Sequence, residues 1–221
     1  MATFGCTPLS GAVDLVPHGN CATYRFWSAY LQSDEPCAVL DLAAFTGAED
    51  YFSKALNATA RNRYRYSVNA GYVSKRITWH QRNAHLPDIF EINTSAPMRQ
   101  GKPMSETYQR QPVPVAENSN SCCEHSADFY ACFKNEKMVA YISMNYSGNL
   151  CAASQILGHA QHLKNEVMLN LWVAFVNDCM ARGFTHIVYS RWKDGTDGLK
   201  YWKHSVGMVP VILKEKPGAV V

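Results

Sequence analysis

EVMLNLWVAFVNDCMARGFTHIVYS, residues 166 to 190, is the stretch whose reading decides the fold. From Glu166 to Arg182 it is apolar on nearly every side, except for a narrow stripe of Glu166, Asn170 and Asn177 at helical spacing. A helix that is apolar almost all round must be buried, so this one lies against a sheet. Gly183 stands at the position where a left-handed residue closes a helix. Phe184 to Ser190 then reads as the strand that returns beneath it. Further on, Asp197 is placed to cap a helix from about Gly198 to Val206, Gly207 ends that helix, and Met208 to Leu213 forms a last strand.

Upstream of the buried helix the pattern changes to short apolar runs separated by turns. Phe129 to Lys134 and Met138 to Tyr146 flank the turn Asn135-Glu136-Lys137, and Ser147-Gly148-Asn149 leads into Leu150 to Leu157. Together they predict an antiparallel meander. Gly71 to Trp79 alternates loosely enough for a strand. Pro87 and Asp88 open a short helix, since Pro suits its first turn and Asp its positive end; Ile89, Phe90 and Ile92 face the core from it. Thr46 and Glu49 have capping-box spacing and predict one helix running to about Tyr64. Residues 93 to 104 form a polar loop, and Gln111 to Ser121 an exposed connection. Residues 1 to about 45 hold an aromatic helix candidate, Ala22 to Leu31, and a short apolar strand, Cys37 to Leu42. The expected class is α+β, a central, mostly antiparallel mixed sheet flanked by helices. An N-terminal extension over residues 1–64 packs a helix on the main domain of 65–221.

At 221 residues and 47% hydrophobic composition the chain can bury a full core without staples. The first twenty residues have no basic n-region, and no apolar run reaches the roughly 18 residues that span a bilayer, which predicts a cytoplasmic protein with no membrane partner. Eight scattered cysteines read as reduced thiols; Cys122, Cys123, His125 and Cys132 lack the paired spacing of a zinc site, and no metal is expected. The net charge of +3 is unevenly spread. Between Asp50 and Asp88 there is no acidic residue, while Lys54, Arg61, Arg63, Arg65, Lys75, Arg76 and Arg82 all fall there, interleaved with Tyr64, Tyr66, Tyr72 and Trp79. Such a block attracts phosphate and suits nucleic acid or a nucleotide cofactor, or is simply a solvated helix face followed by a strand.

The order of elements from Gly71 to Val221 resembles the GNAT superfamily of acyltransferases. In that family the turn after the fourth strand carries Q/R-x-x-G-x-G/A, whose amides and following helix N-terminus cradle the pyrophosphate of acyl-CoA. Gln155-Ile156-Leu157-Gly158-His159-Ala160 fits those letters. Counted back from Gly183, however, the family's glycines fall where this chain has Lys164-Asn165-Glu166-Val167-Met168. Either the loop is longer here, with His159, His162 and Lys164 as phosphate ligands, or CoA is not the donor. Many members place a proton-donating Tyr four residues before the Gly that precedes the last strand, where this chain has Lys203, next to Trp202 and Tyr201. Trp202-Lys203-His204-Ser205-Val206-Gly207 resembles the F-K-x-x-F-G segment of the Fem-type aminoacyltransferases, which take their acyl group from aminoacyl-tRNA; Trp202 and Val206 replace its two Phe.

The resemblance implies an acyl-transfer site where the fourth and fifth strands splay apart. Lys203 is a candidate for holding the oxyanion of the tetrahedral intermediate or the donor's phosphates, with Tyr201 as a second catalytic candidate. Glu91, His85, His159 and His162 are candidates for the base. The Ile92 to Met104 segment matches the loop that walls the acceptor pocket, so Asn93, Ser95, Arg99 and Gln100 are candidate substrate ligands, the last two for a carboxylate or phosphate. Three functions follow: acyl transfer from acetyl-CoA or another acyl-CoA to an amine; transfer from a non-CoA donor such as aminoacyl-tRNA, or onto a modified nucleic acid; and a silent module that binds nucleic acid through Arg61 to Arg82.

Overall fold

The computed structural model describes residues 34–116 and 125–213. The aromatic helix candidate at Ala22 to Leu31, together with Cys122 and Cys123, lies outside them. The elements are β1 (Cys37–Asp41), α1 (Ala48–Lys54), α2 (Ala58–Asn69), β2 (Val73–Ile77), α3 (Trp79–Ala84), α4 (Leu86–Thr94) and a small hairpin of β3 (Met98–Arg99) and β4 (Lys102–Pro103). They continue with α5 (Glu106–Gln109), β5 (His125–Lys134), β6 (Lys137–Ser147), β7 (Leu150–Gly158), a 3-10 helix (Ala160–Asn165), α6 (Val167–Ala181), β8 (His186–Arg191), α7 (Asp197–Ser205) and β9 (Val209–Val211). Seven strands form one sheet in the order β2-β5-β6-β7-β8-β1-β9. All its pairings are antiparallel except β7 with β8. This is the expected α+β class. Among the described residues no helix is long and apolar enough to cross a membrane.

The meander forms as read. Asn135 and Glu136 both take positive φ, the twist that lets a two-residue turn join strands without splaying them. Because β7 and β8 run parallel, the chain must cross from the end of one to the start of the other, and α6 is that crossover. It buries Leu171, Trp172, Phe175 and Val176 completely against the sheet, each worth roughly 2–3 kcal/mol of transfer free energy. The indole Nε1–H of Trp172 donates to Tyr51 Oη (3.1 Å), and that hydroxyl donates to the Val206 carbonyl (3.1 Å). One buried chain of hydrogen bonds thus ties α1 and the end of α7 to the crossover helix. The polar stripe of α6 faces a strand: Asn170 accepts from Ser74 Oγ (2.6 Å) and donates to the Tyr72 carbonyl.

Two expectations are corrected. The single helix from Thr46 to Tyr64 is two helices. Asn57 Oδ1 accepts from the Ala60 N–H (2.8 Å) and caps a new start, which a continuous helix would forbid. The Thr46/Glu49 box is replaced by Asp50, whose carboxylate accepts from the Thr46 N–H (3.0 Å), with Gly47 as the cap residue. The second concerns the extension. Cys37–Asp41 is an inner strand, antiparallel to β8 on one side and to β9 on the other, and the first four of its residues are fully buried. A boundary at residue 64 would cut through the sheet.

After α7, Gly207 holds φ +85° while Met208 N–H closes back on the Lys203 carbonyl, and a Cβ there would stand 2.8 Å from Ala55 Cβ. Gly207→Ala is therefore expected to lower stability by about 1–3 kcal/mol, read as a lower urea midpoint. An unchanged midpoint would show that α7 does not need this turn.

Candidate active site

β7 and β8 pair only at Leu150–His186, Cys151–Ile187 and Ala152–Val188. Two residues further along β7, the register with β6 shifts: Ala153 faces Met144 and Gln155 faces Ser143, leaving Ser154 opposite nothing, its hydroxyl donating to the Ser143 carbonyl (2.9 Å). A bulge bends its strand, and from this point β7 leaves β8. A cavity of about 410 Å³ fills the wedge. Ile156 and Gly158 line it from β7, Tyr189 from β8, Leu163 and Met168 from the start of the crossover, Thr196, Leu199 and Trp202 from α7 and the residues before it, and Met98, Arg99 and Gln100 from the β3–β4 hairpin. Met168 and Leu163 close on Gly158: a Cβ there would meet Met168 Sδ at 2.5 Å and Leu163 Cδ2 at 3.0 Å, so these side chains would have to shift.

Arg99 joins the hairpin to the end of β7. Its Nη1 donates to the Gly158 carbonyl (2.9 Å), and Nη2 to the Ile92 carbonyl (2.9 Å) and Ser95 Oγ (3.0 Å). Ser95 Oγ also accepts from the Ala160 N–H (3.0 Å), so it positions the arginine rather than facing the cavity. Burial pushes the pKa of Arg99 down from its usual value. Asn93 is buried off the cavity, its Oδ1 accepting from Tyr141 Oη (2.7 Å). Of the four predicted substrate ligands, Arg99 and Gln100 therefore line the cavity.

Of the Gln155 to Ala160 letters, the first four lie on β7, His159 caps the 3-10 helix and Ala160 opens it. Gln155 is exposed and Leu157 is buried on the opposite face from the cavity, among Ile89, Ile92 and Phe129. The turn into α6 is the 3-10 helix, without a glycine. His159 caps it, accepting from the Gln161 N–H (3.3 Å), with its other nitrogen 3.5 Å from Glu91, whose second oxygen meets Lys137 Nζ at 2.6 Å. His162 Nδ1 stands 2.7 Å from Tyr72 Oη, which accepts from Asn165 Nδ2 (2.8 Å). Burial, then the neighbouring His159 and Lys137, lowers the His162 pKa. At the start of α6 stands Glu166, φ +59°, its carboxylate 3.6 Å from Arg63 Nε. Lys164 is exposed. His85 pairs with Asp88 (2.9 Å). None of the four candidate bases lines the cavity.

No family model matches the sequence, and no curated protein matches it. In three dimensions it is similar to FemX, with TM-score 0.59 at 6% identity over 90% of this chain and 63% of that one. It is also similar to a tandem GNAT protein from the clavulanic acid biosynthesis pathway, with TM-score 0.51 at 14% identity over 92% of this chain and 58% of that one. A conserved protein of unknown function from Bacteroides thetaiotaomicron is similar at TM-score 0.50 and 13% identity, covering 86% of this chain and 64% of that one. The fold is GNAT-like. The chain spans 58 to 64% of the length of these three structures.

In this GNAT-like sheet Lys203 takes an unexpected place. It is fully buried, and its Nζ donates to the carbonyls of Arg191 (2.6 Å), Trp192 (3.3 Å) and Asp194 (3.0 Å), 5.7 Å above the Tyr189 ring. All three ammonium protons are engaged in holding the β8–α7 loop, and burial lowers the pKa of the group. Tyr201 is 60% exposed and outside the cavity lining. The cavity residues that sequence reasoning missed are Met168, Tyr189, Leu199 and Trp202. Only the i, i+3 spacing of Leu199 and Trp202 on the last helix hinted that these two share a face.

The basic block, continuous in sequence, is divided among α1, α2, β2 and α3. Arg61 donates to the carbonyls of Ser53 (2.9 Å) and Leu56 (2.5 Å), and Arg82 to that of Val113 (2.7 Å). Arg76 stands 3.9 Å from Asp128 and 3.6 Å from Asp178. Arg65 and Lys75 lie over the rings of Phe52 and Phe133. Tyr72 is buried and Tyr64 packs edge-on against Phe52, which leaves Tyr66 as the exposed ring of α2.

Lys203→Met removes the donor from three loop carbonyls and is expected to cost about 2–3 kcal/mol, measured by chemical denaturation. A variant that keeps full stability while losing transfer activity would instead put the lysine in the chemistry.

Proposed function

We propose that the chain is an acyltransferase that holds an activated acyl group in the wedge between β7 and β8 and passes it to an amine. The observation that carries this reading is the parting of the two strands after three residue pairs, with a cavity in the gap. A carbonyl set there has main chain of two diverging strands on either side, and catalysis then rests on positioning the reactants. Among the described residues the cavity lining carries no histidine or carboxylate. An amine acceptor that arrives neutral needs no base at that point; otherwise Glu91, beside His159 at the end of β7, is the candidate to take its proton.

For the donor, acyl-CoA is the first reading, and the local geometry weighs against it. A pyrophosphate at the start of α6 needs free amides and positive potential. Here the approach is a 3-10 turn without glycine, the amide of Ala160 is taken by Ser95, and the Glu166 carboxylate stands at the helix end. These residues do not fit a pyrophosphate. The observation favours the second reading, a donor that brings no pyrophosphate to that helix, such as an aminoacyl ester of tRNA.

Calorimetric titration with acetyl-CoA separates the two. The expected result is a dissociation constant of about 1 mM or weaker, tightening in Glu166→Gln as a carboxylate leaves the anion's path. Micromolar binding by the unaltered chain would restore acyl-CoA as donor.

A further inference from the structure

Among the described residues that line the cleft, Arg99 is the one charged side chain. A guanidinium has five N–H donors and does not lose its charge in proteins. The partners described for Arg99 are two carbonyls and a hydroxyl, all neutral, and its Nε is buried without a partner. Among the described residues no carboxylate pairs with it; the only negative charges near enough to act on it would be the phenols of Tyr108 and Tyr141, which are neutral at ordinary pH. A half-buried cation without a counter-ion is costly, and here it faces walls built from Leu163, Met168, Leu199 and Trp202. We propose that the acyl acceptor is a small molecule with a single carboxylate on an apolar or aromatic body. The carboxylate sits against Arg99 and the body against those four side chains.

A carboxylate suits the site better than a phosphate because the charges match one to one. A phosphate monoester carries about −1.5 to −2 at neutral pH, and among the described residues no second cation lines the cleft to balance the remainder. Gln100, held at φ +50° beside Arg99, adds an amide that can donate to the same group. The assignment of this molecule as acceptor rests on the transferase reading; its binding does not, and the test needs no donor and no turnover.

The probes are 3-phenylpropionate, 3-phenylpropionamide and phenyl phosphate, titrated by calorimetry into the full chain. The acid is expected to bind at least about tenfold more tightly than the amide of the same shape, the size of one charge-assisted hydrogen bond. Arg99→Gln should abolish the difference, while Arg99→Lys, which keeps the charge, should retain part of it. Thermal melts of both variants show whether the hairpin still docks, and the acid-to-amide ratio of the unaltered chain decides the matter even if they do not fold. Equal binding of acid and amide, no binding of the acid at millimolar concentration, a preference that survives Arg99→Gln, or phenyl phosphate binding best would each overturn the proposal. A chain that shows the preference but transfers no acyl group would leave the pocket standing and remove the transferase reading.

Discussion

Three residue pairs between two parallel strands set the character of this molecule. If β7 and β8 stayed in register to their ends, their side chains would close on one another as elsewhere in the sheet. The unpaired Ser154 bends β7 away just past the last pair. The divergence leaves apolar surface that neither strand can cover, and α7, the 3-10 turn and the β3–β4 hairpin close around the gap without filling it. A sheet under ordinary packing constraints thus holds a cavity of ligand size, within the range of small-molecule sites.

What keeps the wedge open is distributed around it. The crossover helix is anchored by the Trp172–Tyr51–Val206 chain of hydrogen bonds, which joins elements from both ends of the chain. On the α7 side, Lys203 gathers three carbonyls of the loop leaving β8. On the hairpin side, Arg99 gathers Gly158, Ile92 and Ser95. Two cations, the buried Lys203 and the half-buried Arg99, each bound to neutral oxygens, therefore fasten the two flanks of the cleft. They differ in one respect: Lys203 has all its protons engaged and stands outside the cavity, whereas Arg99 reaches it with donors to spare. Of the residues that the sequence marked, Lys203 is bound to three loop carbonyls off the cavity, and Arg99 lines it.

The strand Cys37–Asp41 carries a related lesson about domain limits. It is contributed from far upstream, yet it is the partner that lets β9 join the sheet at all. Its run of small and apolar residues is legible as a strand. Nothing in it says which strands it lies between, because a fully buried strand has no polar face to betray its neighbours.

Local patterning by itself determined the meander, the buried crossover helix, the Gly183 and Gly207 stops and hence the class of fold, because periodicity and turn chemistry act over a few residues. Arg99 and Gln100 were marked by the resemblance of their segment to the GNAT acceptor loop. Local patterning misjudged the helix after Thr46, where a competing cap at Asn57 won, and the Gln155 to Ala160 letters read as a loop although Gln155 to Gly158 continue a strand. Only the tertiary structure decided that Tyr189, Leu199, Trp202 and Met168 meet across a gap, that Lys203 turns inward, and that the basic block is parted among four elements with partners of its own. Those outcomes depend on residues tens of positions apart coming within a few ångströms, and contact at that range is set by how the layers pack, which no local pattern encodes.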